Sequence, residues 1–185
     1  MHKIFIALTS GAALLLAGGA YAQDSTPETG VDLVTATATF MDADGNELGD
    51  MTLTETEEGV TIAGVLSGIP EGEHGFHIHE TGSCDPSTGF ESAGGHFNPT
   101  DAEHGFENPD GPHAGDMRNQ MASADGEFVV NVNNDMVGLS EGRDGHLFDE
   151  DGSALMVHSG SDDYMTDPGG DAGDRIACAV IEPMP

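Results

Sequence analysis

The sequence predicts an all-β fold, an antiparallel sandwich or barrel, on three observations. Short apolar runs alternate with polar residues at period two. Turns rich in Gly and Asp separate those runs, and no window of about twelve residues carries a helical 3.6-residue period. Val34, Ala36, Ala38 and Phe40 alternate with Thr35, Thr37 and Thr39, so this run reads as a strand with one face inward. Asp44-Gly45 marks a turn. Strands at 51–56 and 60–66 follow, broken at Glu58-Gly59, and residues 72–79 form a fourth. Further strands are expected at 127–132, 154–158 and 175–181. Two long connections, residues 80–116 and 159–174, hold Gly, Pro, Asn, Ser and Asp with no strand or helix pattern. A compact domain rarely carries such segments unless they are functional.

The chain has 185 residues. Met1-His2-Lys3, the apolar stretch 4–17 and the small-x-small site Ala20-Tyr21-Ala22 read as a signal peptide over residues 1–22. The apolar stretch is short for a bilayer span, and no second one follows. Residues 23–30 read as a flexible leader, and 31–185 as one domain large enough for a real core. The mature protein is therefore expected to be soluble and exported.

Charge narrows the partners. Four Lys and Arg stand against 34 Asp and Glu, a formal net charge of −30. Losing Lys3 with the signal leaves Arg118, Arg143 and Arg175 against all 34 carboxylates, a charge of −31. Nucleic acid and anionic membranes both need basic partners, so neither is expected. With 37% hydrophobic residues the charge does not signal disorder. It suits a surface adapted to salty surroundings, where screening mutes self-repulsion.

The only cysteines are Cys84 and Cys178. In an oxidising compartment they form one disulfide; two free metal-binding thiols are the alternative, weakened by the lack of a Cys-x-x-Cys pair. In His77-Ile78-His79 both imidazoles share one strand face, an arrangement that suits metal ligands. His74 lies on the Ile78 face and reads as a core histidine. His96, His104, His113 and Asp116 could close a tetrahedral zinc site with no open position, or they could belong to a solvated polar loop. His158 ends an apolar strand, either as a rim residue or as a ligand. His146 reads as a surface residue.

Three blocks settle on one resemblance. Gly75-Phe76-His77-Ile78-His79-Glu80, Gly94-Gly95-His96-Phe97-Asn98-Pro99 and Gly173-Asp174-Arg175-Ile176-Ala177-Cys178 resemble the signature segments of copper,zinc superoxide dismutases, collinear over roughly residues 31–182. The likeness is to bacterial periplasmic members, which the signal peptide fits. It implies a Greek-key β-sandwich or barrel with long metal-binding and electrostatic loops. It implies copper on His77, His79, His96 and His158, and structural zinc on His96, His104, His113 and Asp116. His96 would bridge the two metals and pass a proton during turnover. Superoxide would become dioxygen and hydrogen peroxide by alternate reduction and oxidation of the copper. Arg175 would draw the anion in, and Cys84–Cys178 would tie the zinc loop to the last strand. Asp162 would hydrogen-bond His77 and His104, although the adjacent Asp163 leaves that assignment open by one residue.

One departure stands out. Lysines or other cations often surround the substrate channel in this family, whereas residues 159–174 hold no cation and several Asp. A non-enzymatic copper or zinc carrier on the same fold is the alternative; it predicts loss of a ligand or of Arg175, and all are present. A zinc hydrolase is disfavoured because Asp116 closes that site. The resemblance allows a homodimer.

Overall fold

The computed structural model describes residues 33–185; the expected signal peptide and leader lie outside the described residues. Strands β1 (Thr35–Asp42), β2 (Glu47–Thr56) and β3 (Gly59–Ser67) form an antiparallel meander. Then come β4 (Gly72–His74), β5 (Phe76–His79), β6 (Gln120–Ala122), β7 (Glu127–Asn134), β8 (Ala154–His158), β9 (Arg175–Val180) and β10 (Glu182–Pro183). Lateral order is β4-β6-β7-β3-β2-β1-β9-β8-β5, with β10 on β1, and every pairing is antiparallel. The neighbours β3–β7 and β1–β9 are far apart in sequence and supply the Greek-key crossovers. β4 and β5 stand at opposite ends of the sheet yet are consecutive in the chain, so the sheet curls into a nearly closed barrel. Among the described residues no helix is long and apolar enough to cross a membrane.

Period two explains most of these strands. In β1 the residues Ala36, Ala38 and Phe40 are buried and the threonines face outward; in β7 Phe128 and Val130 do the same. The single strand expected over 72–79 is two strands. At Gly75 the run changes partner, from β6 to β8, and Gly75 itself bonds His158 and Gly160 of the last long loop. β6 and β10 were not expected, being three and two residues long and thus too short to show a period. The loop 80–116 carries two 3₁₀ turns, at Pro86–Thr88 and Glu91–Ala93, the first capped by the Asp85 carboxylate accepting from Ser87 N–H.

In β5 and β8 every residue is buried, on both faces. The two long loops cover the outer face of these strands, which is why the alternation disappears there. Inside the barrel, Phe40, Phe76, Phe128, Leu53, Ile62 and Leu155 build the main core. A smaller cluster of Phe90, Ala93, Ala154, Met156 and Cys178 lies under the loop 80–116. There Cys84 and Cys178 are bonded to each other across 94 positions. Closing so long a loop stabilises by about 4–5 kcal/mol in the chain-entropy account.

His74 is buried, as expected, with its ring nitrogens 2.7 Å from the His158 carbonyl and 2.8 Å from that of Pro70. His146, expected at the surface, is partly buried. Its segment bridges to Gly138, and its Nε2 donates to the Leu139 carbonyl at 3.1 Å.

Phe128 has no exposed surface and meets Phe76 and His74 edge-on, with 6.0 Å between ring centroids in each pair. Phe128→Ala should therefore destabilise by about 3–5 kcal/mol. Urea melts of parent and variant measure this; a cost under about 1 kcal/mol would mean that the core closes over the gap.

Candidate metal centre

Backbone pairing brings the ligands together before any metal acts. The edge of β5 is stitched to two stretches of the loop 80–116: Ile78 N–H donates to Gly115 O, Phe97 N–H to Ile78 O, and Glu80 N–H to Gly95 O. These bonds set His77 opposite Asp116 and His79 opposite His96. Gly115 is required here, because a Cβ at this position would run into the Ile78 carbonyl. On the other side, β8 supplies His158. A bulge between Val157 and His158 sets His158 opposite Arg175 of β9.

Two groups of four result, with the ligand atoms of each within 4.8 Å of one another. One is His77, His79, His96 and His158; the other is His96, His104, His113 and Asp116. All seven residues are buried, and His96 belongs to both groups.

Hydrogen bonds outside the first group fix its rings. His77 Nε2 donates to Asp162 Oδ2 at 2.8 Å, His79 Nδ1 to the Gly94 carbonyl at 3.1 Å, and His158 Nδ1 to the Gly173 carbonyl at 3.2 Å. Each ring's other nitrogen is then an unprotonated lone pair aimed inward. His79 Nε2 and His158 Nε2 lie 3.4 Å apart, and His77 Nδ1 is fully buried with no partner. A buried nitrogen left without a partner costs free energy unless something binds it. Four convergent imidazole nitrogens are a donor set that suits copper. The residues present fit the ion.

The second group converges on one oxygen. Asp116 Oδ1 lies 2.8 Å from His96 Nδ1, 3.1 Å from His104 Nδ1 and 3.4 Å from His113 Nδ1. Its Oδ2 accepts from the backbone N–H of Gly105 and of His113. Three imidazoles and one carboxylate fit a closed tetrahedral zinc site.

Asp162 joins the two groups, since its Oδ1 accepts from His104 Nε2 at 3.0 Å while Oδ2 holds His77. Asp163 faces away and caps Met165 and Thr166. Arg175 donates to the carbonyls of Phe90 at 2.7 Å and Gly94 at 2.6 Å, beside a cleft of about 350 Å³ lined also by His79, His96, His158, Asp167 and Asp171. A larger cleft of about 940 Å³ lies elsewhere, between Glu58, Asp135 and Arg143, and holds neither group of ligands.

Several supporting residues carry no sequence signal. The Asn119 side chain and the Asp162 main chain bond each other reciprocally, both at 2.9 Å. Glu80 accepts from Gly95 N–H, and Asp167 from His104 N–H. An Asn three places after Asp116 is the only hint, and its role depends on a loop more than 40 residues away.

Protonation follows burial. Burial first, then the neighbouring His96, pulls His77 down to about 3; burial likewise brings His158 to about 4. At neutral pH both are uncharged and free to bind a cation. His104 goes the other way: burial works against its charge, but hydrogen bonds to Asp116 and Asp162 outweigh it and raise the ring to about 9. Both carboxylates are themselves lowered, the histidine hydrogen bonds exceeding the effect of burial.

Comparison with known proteins agrees with this geometry. Residues 47–181 match the family model for copper/zinc superoxide dismutase (SODC). The chain is 46% identical to superoxide dismutase [Cu-Zn] 2 of Aquifex aeolicus over 91% of this chain and 93% of that one. Identity to superoxide dismutase [Cu-Zn] of Escherichia coli is 36%, covering 92% and 95%. The crystal structure of a superoxide-dismutase-like protein from Bacillus subtilis superposes with a TM-score of 0.74 at 41% identity, covering 78% of this chain and 96% of that one. The fold and paired metal groups define a two-metal β-barrel protein. This chain belongs to the copper/zinc superoxide dismutase family.

The metal-free protein should show a stability maximum near pH 6.5. His77 and His158 titrate lower in the folded state, so the unfolded chain gains protons first as pH falls below about 6.5, and stability declines towards pH 3–4. The lowered Asp116 and Asp162 add to that loss below about pH 4. His104 contributes fully below about 6.5, and its share is lost as pH rises through about 9. Melting temperatures of chelator-stripped protein across pH 4–10 test this. A curve still rising at pH 9 would contradict the partnership of His104 with its two carboxylates.

Proposed function

We propose that the chain disproportionates superoxide to dioxygen and hydrogen peroxide, with copper held by His77, His79, His96 and His158 and zinc held by His96, His104, His113 and Asp116. One observation carries this reading: a buried, partnerless His77 Nδ1 faces three further imidazoles, one of which also belongs to a closed three-His-one-Asp group. Copper bound there would supply one-electron redox chemistry, which zinc lacks.

The protein's own groups do the rest. The Arg175 guanidinium, pinned by two carbonyls beside His79 and His158, keeps a fixed positive charge where an anion enters. His96 Nδ1 is committed to the Asp116 side, while its Nε2 faces the cleft: a Cβ built on Gly169 would lie 3.6 Å from it. That nitrogen can take up a proton and hand it to the developing peroxide. Asp162 holds His77 and His104 in register.

A non-enzymatic copper or zinc carrier on the same fold is the second reading; a Bacillus subtilis relative 42% identical to this chain carries the name superoxide dismutase-like protein. Arg175 argues against it, since storage of a cation gains nothing from a guanidinium in the cleft. We also propose export to the periplasm by residues 1–22. The Cys84–Cys178 bond supports an oxidising compartment. The reading admits a homodimer, which sedimentation of the mature chain measures.

Removing copper should abolish superoxide decay, whereas removing zinc should mainly loosen residues 80–116 and lower stability. A copper-free, zinc-loaded sample with full activity would refute the assignment.

Salt gives a second test. At about 0.01 M salt the screening length is roughly 30 Å, so an approaching anion feels the whole acidic body; at about 0.15 M it is roughly 8 Å and the anion feels mainly Arg175 and the metals. With Asp167 and Asp171 as the charged residues of the loop 159–174 that line the mouth, the rate should hold level or rise across that range. Arg175→Glu should lower it at every salt concentration. A steep fall with salt in the parent would show that local attraction outweighs the acidic surface at long range.

A further inference from the structure

Tyr164 is an aromatic residue in a loop of Gly, Asp and Ser, and its backbone is left-handed, with φ 63°. A bulky residue holds that conformation only when its surroundings compensate. They do so on four sides. Its N–H donates to Asp162 Oδ1 at 2.6 Å, and its carbonyl accepts from Glu107 N–H at 3.0 Å. Its hydroxyl accepts from Asn119 N–H at 2.8 Å. Its ring meets Phe106 edge-on at 5.9 Å and lies under the Arg118 guanidinium, 5.5 Å from the ring centre.

These contacts close a circuit. Asn119, bonded to the Tyr164 hydroxyl, is the residue whose side-chain amide brackets the Asp162 main chain. Tyr164 N–H meanwhile grips the Asp162 carboxylate, which in turn orients His77 and His104. Tyr164 also packs its carbonyl against Gly105, next to His104, so closely that a Cβ on Gly105 would collide with it. Arg118 makes no ion pair among the described residues, despite the abundance of carboxylates; it lies over Phe106 at 4.8 Å and over Tyr164 instead. Cation–π contact therefore holds the ring down from outside.

We propose that Tyr164, clamped between Phe106 and Arg118, is a positioning residue that fixes the Asp162 carboxylate and thereby sets how tightly the His104 side of the centre retains its metal. Its left-handed backbone turns the N–H onto Asp162 while the side chain reaches back to the segment that carries Asn119. The proposal rests on the assignment of zinc to His96, His104, His113 and Asp116.

The test uses metal-loaded mature protein and the variants Tyr164→Phe, which removes only the hydroxyl, and Arg118→Gln, which removes the clamp. Zinc release into excess chelator should be about 3- to 10-fold faster in each, and faster still in Tyr164→Leu, within the 10- to 100-fold range typical of lost outer partners. Cobalt(II) placed in the zinc site should show shifted visible bands in Tyr164→Phe, since the orientation of His104 changes. Release within twofold of the parent in both Tyr164→Phe and Arg118→Gln would overturn the proposal. So would faster release with unshifted cobalt bands and an equally lowered melting temperature of the metal-free protein, which is what a purely structural role gives. If the parent itself takes up no tetrahedral cobalt, the zinc assignment fails and the proposal fails with it; a normal parent with unaffected variants removes the positioning role alone.

Discussion

Six histidines and two aspartates are buried together around one short strand, with mainly each other as partners. Nothing else among the described residues concentrates so much desolvated polarity, and burying it is unfavourable unless each atom is matched. The hydrogen bonds match all but a few inward lone pairs, and those are the ones a cation would take. The need to hold that cluster in place accounts for features the barrel alone would not require. They include loops that cover β5 and β8, a disulfide beneath one loop, and a Gly at 115 that lets two backbones touch.

Rigidity reaches the site by two routes. The β5 and β8 ligands inherit it from a sheet whose inner face is packed with Phe and Leu. The loop ligands receive it second-hand, through main-chain bonds to β5 and through Asp116 and Asp162. Asp116 binds three rings with one oxygen and two backbone N–H groups with the other, so its position and that of the loop determine each other. Arg175 is held in a comparable way, by carbonyls of the segment that the disulfide anchors.

Legibility in the sequence followed the physics of each element. β1 and β7 are half-buried and alternate, so their pattern shows them. β8 shows as an apolar run because both its faces are covered. The break at Gly75 does not show, because exchanging one strand partner for another leaves no trace in residue type. At the site, the spacing of His77 and His79 was readable alone; His96, His104, His113, Asp116 and His158 each had a loop or rim reading beside the ligand one until the resemblance carried by the motif blocks decided between them. Choosing between Asp162 and Asp163 needed geometry, since adjacent identical residues differ only in where their side chains point. Asn119 and Tyr164 bond main-chain groups of segments far away in sequence, and Gly115 serves by lacking a Cβ against the Ile78 carbonyl; such roles are silent until the chain is folded.

His96 belongs to two groups at once, so their occupancies are not independent. Holding an ion on each side would require the neutral ring to give up its one N–H proton, so whichever ion came second would have to displace it. Thermodynamic reciprocity then requires that whatever affinity the first ion lends the second be returned in the same measure. The shared imidazole therefore makes a single measured dissociation constant for one ion meaningful only when the state of the other is specified.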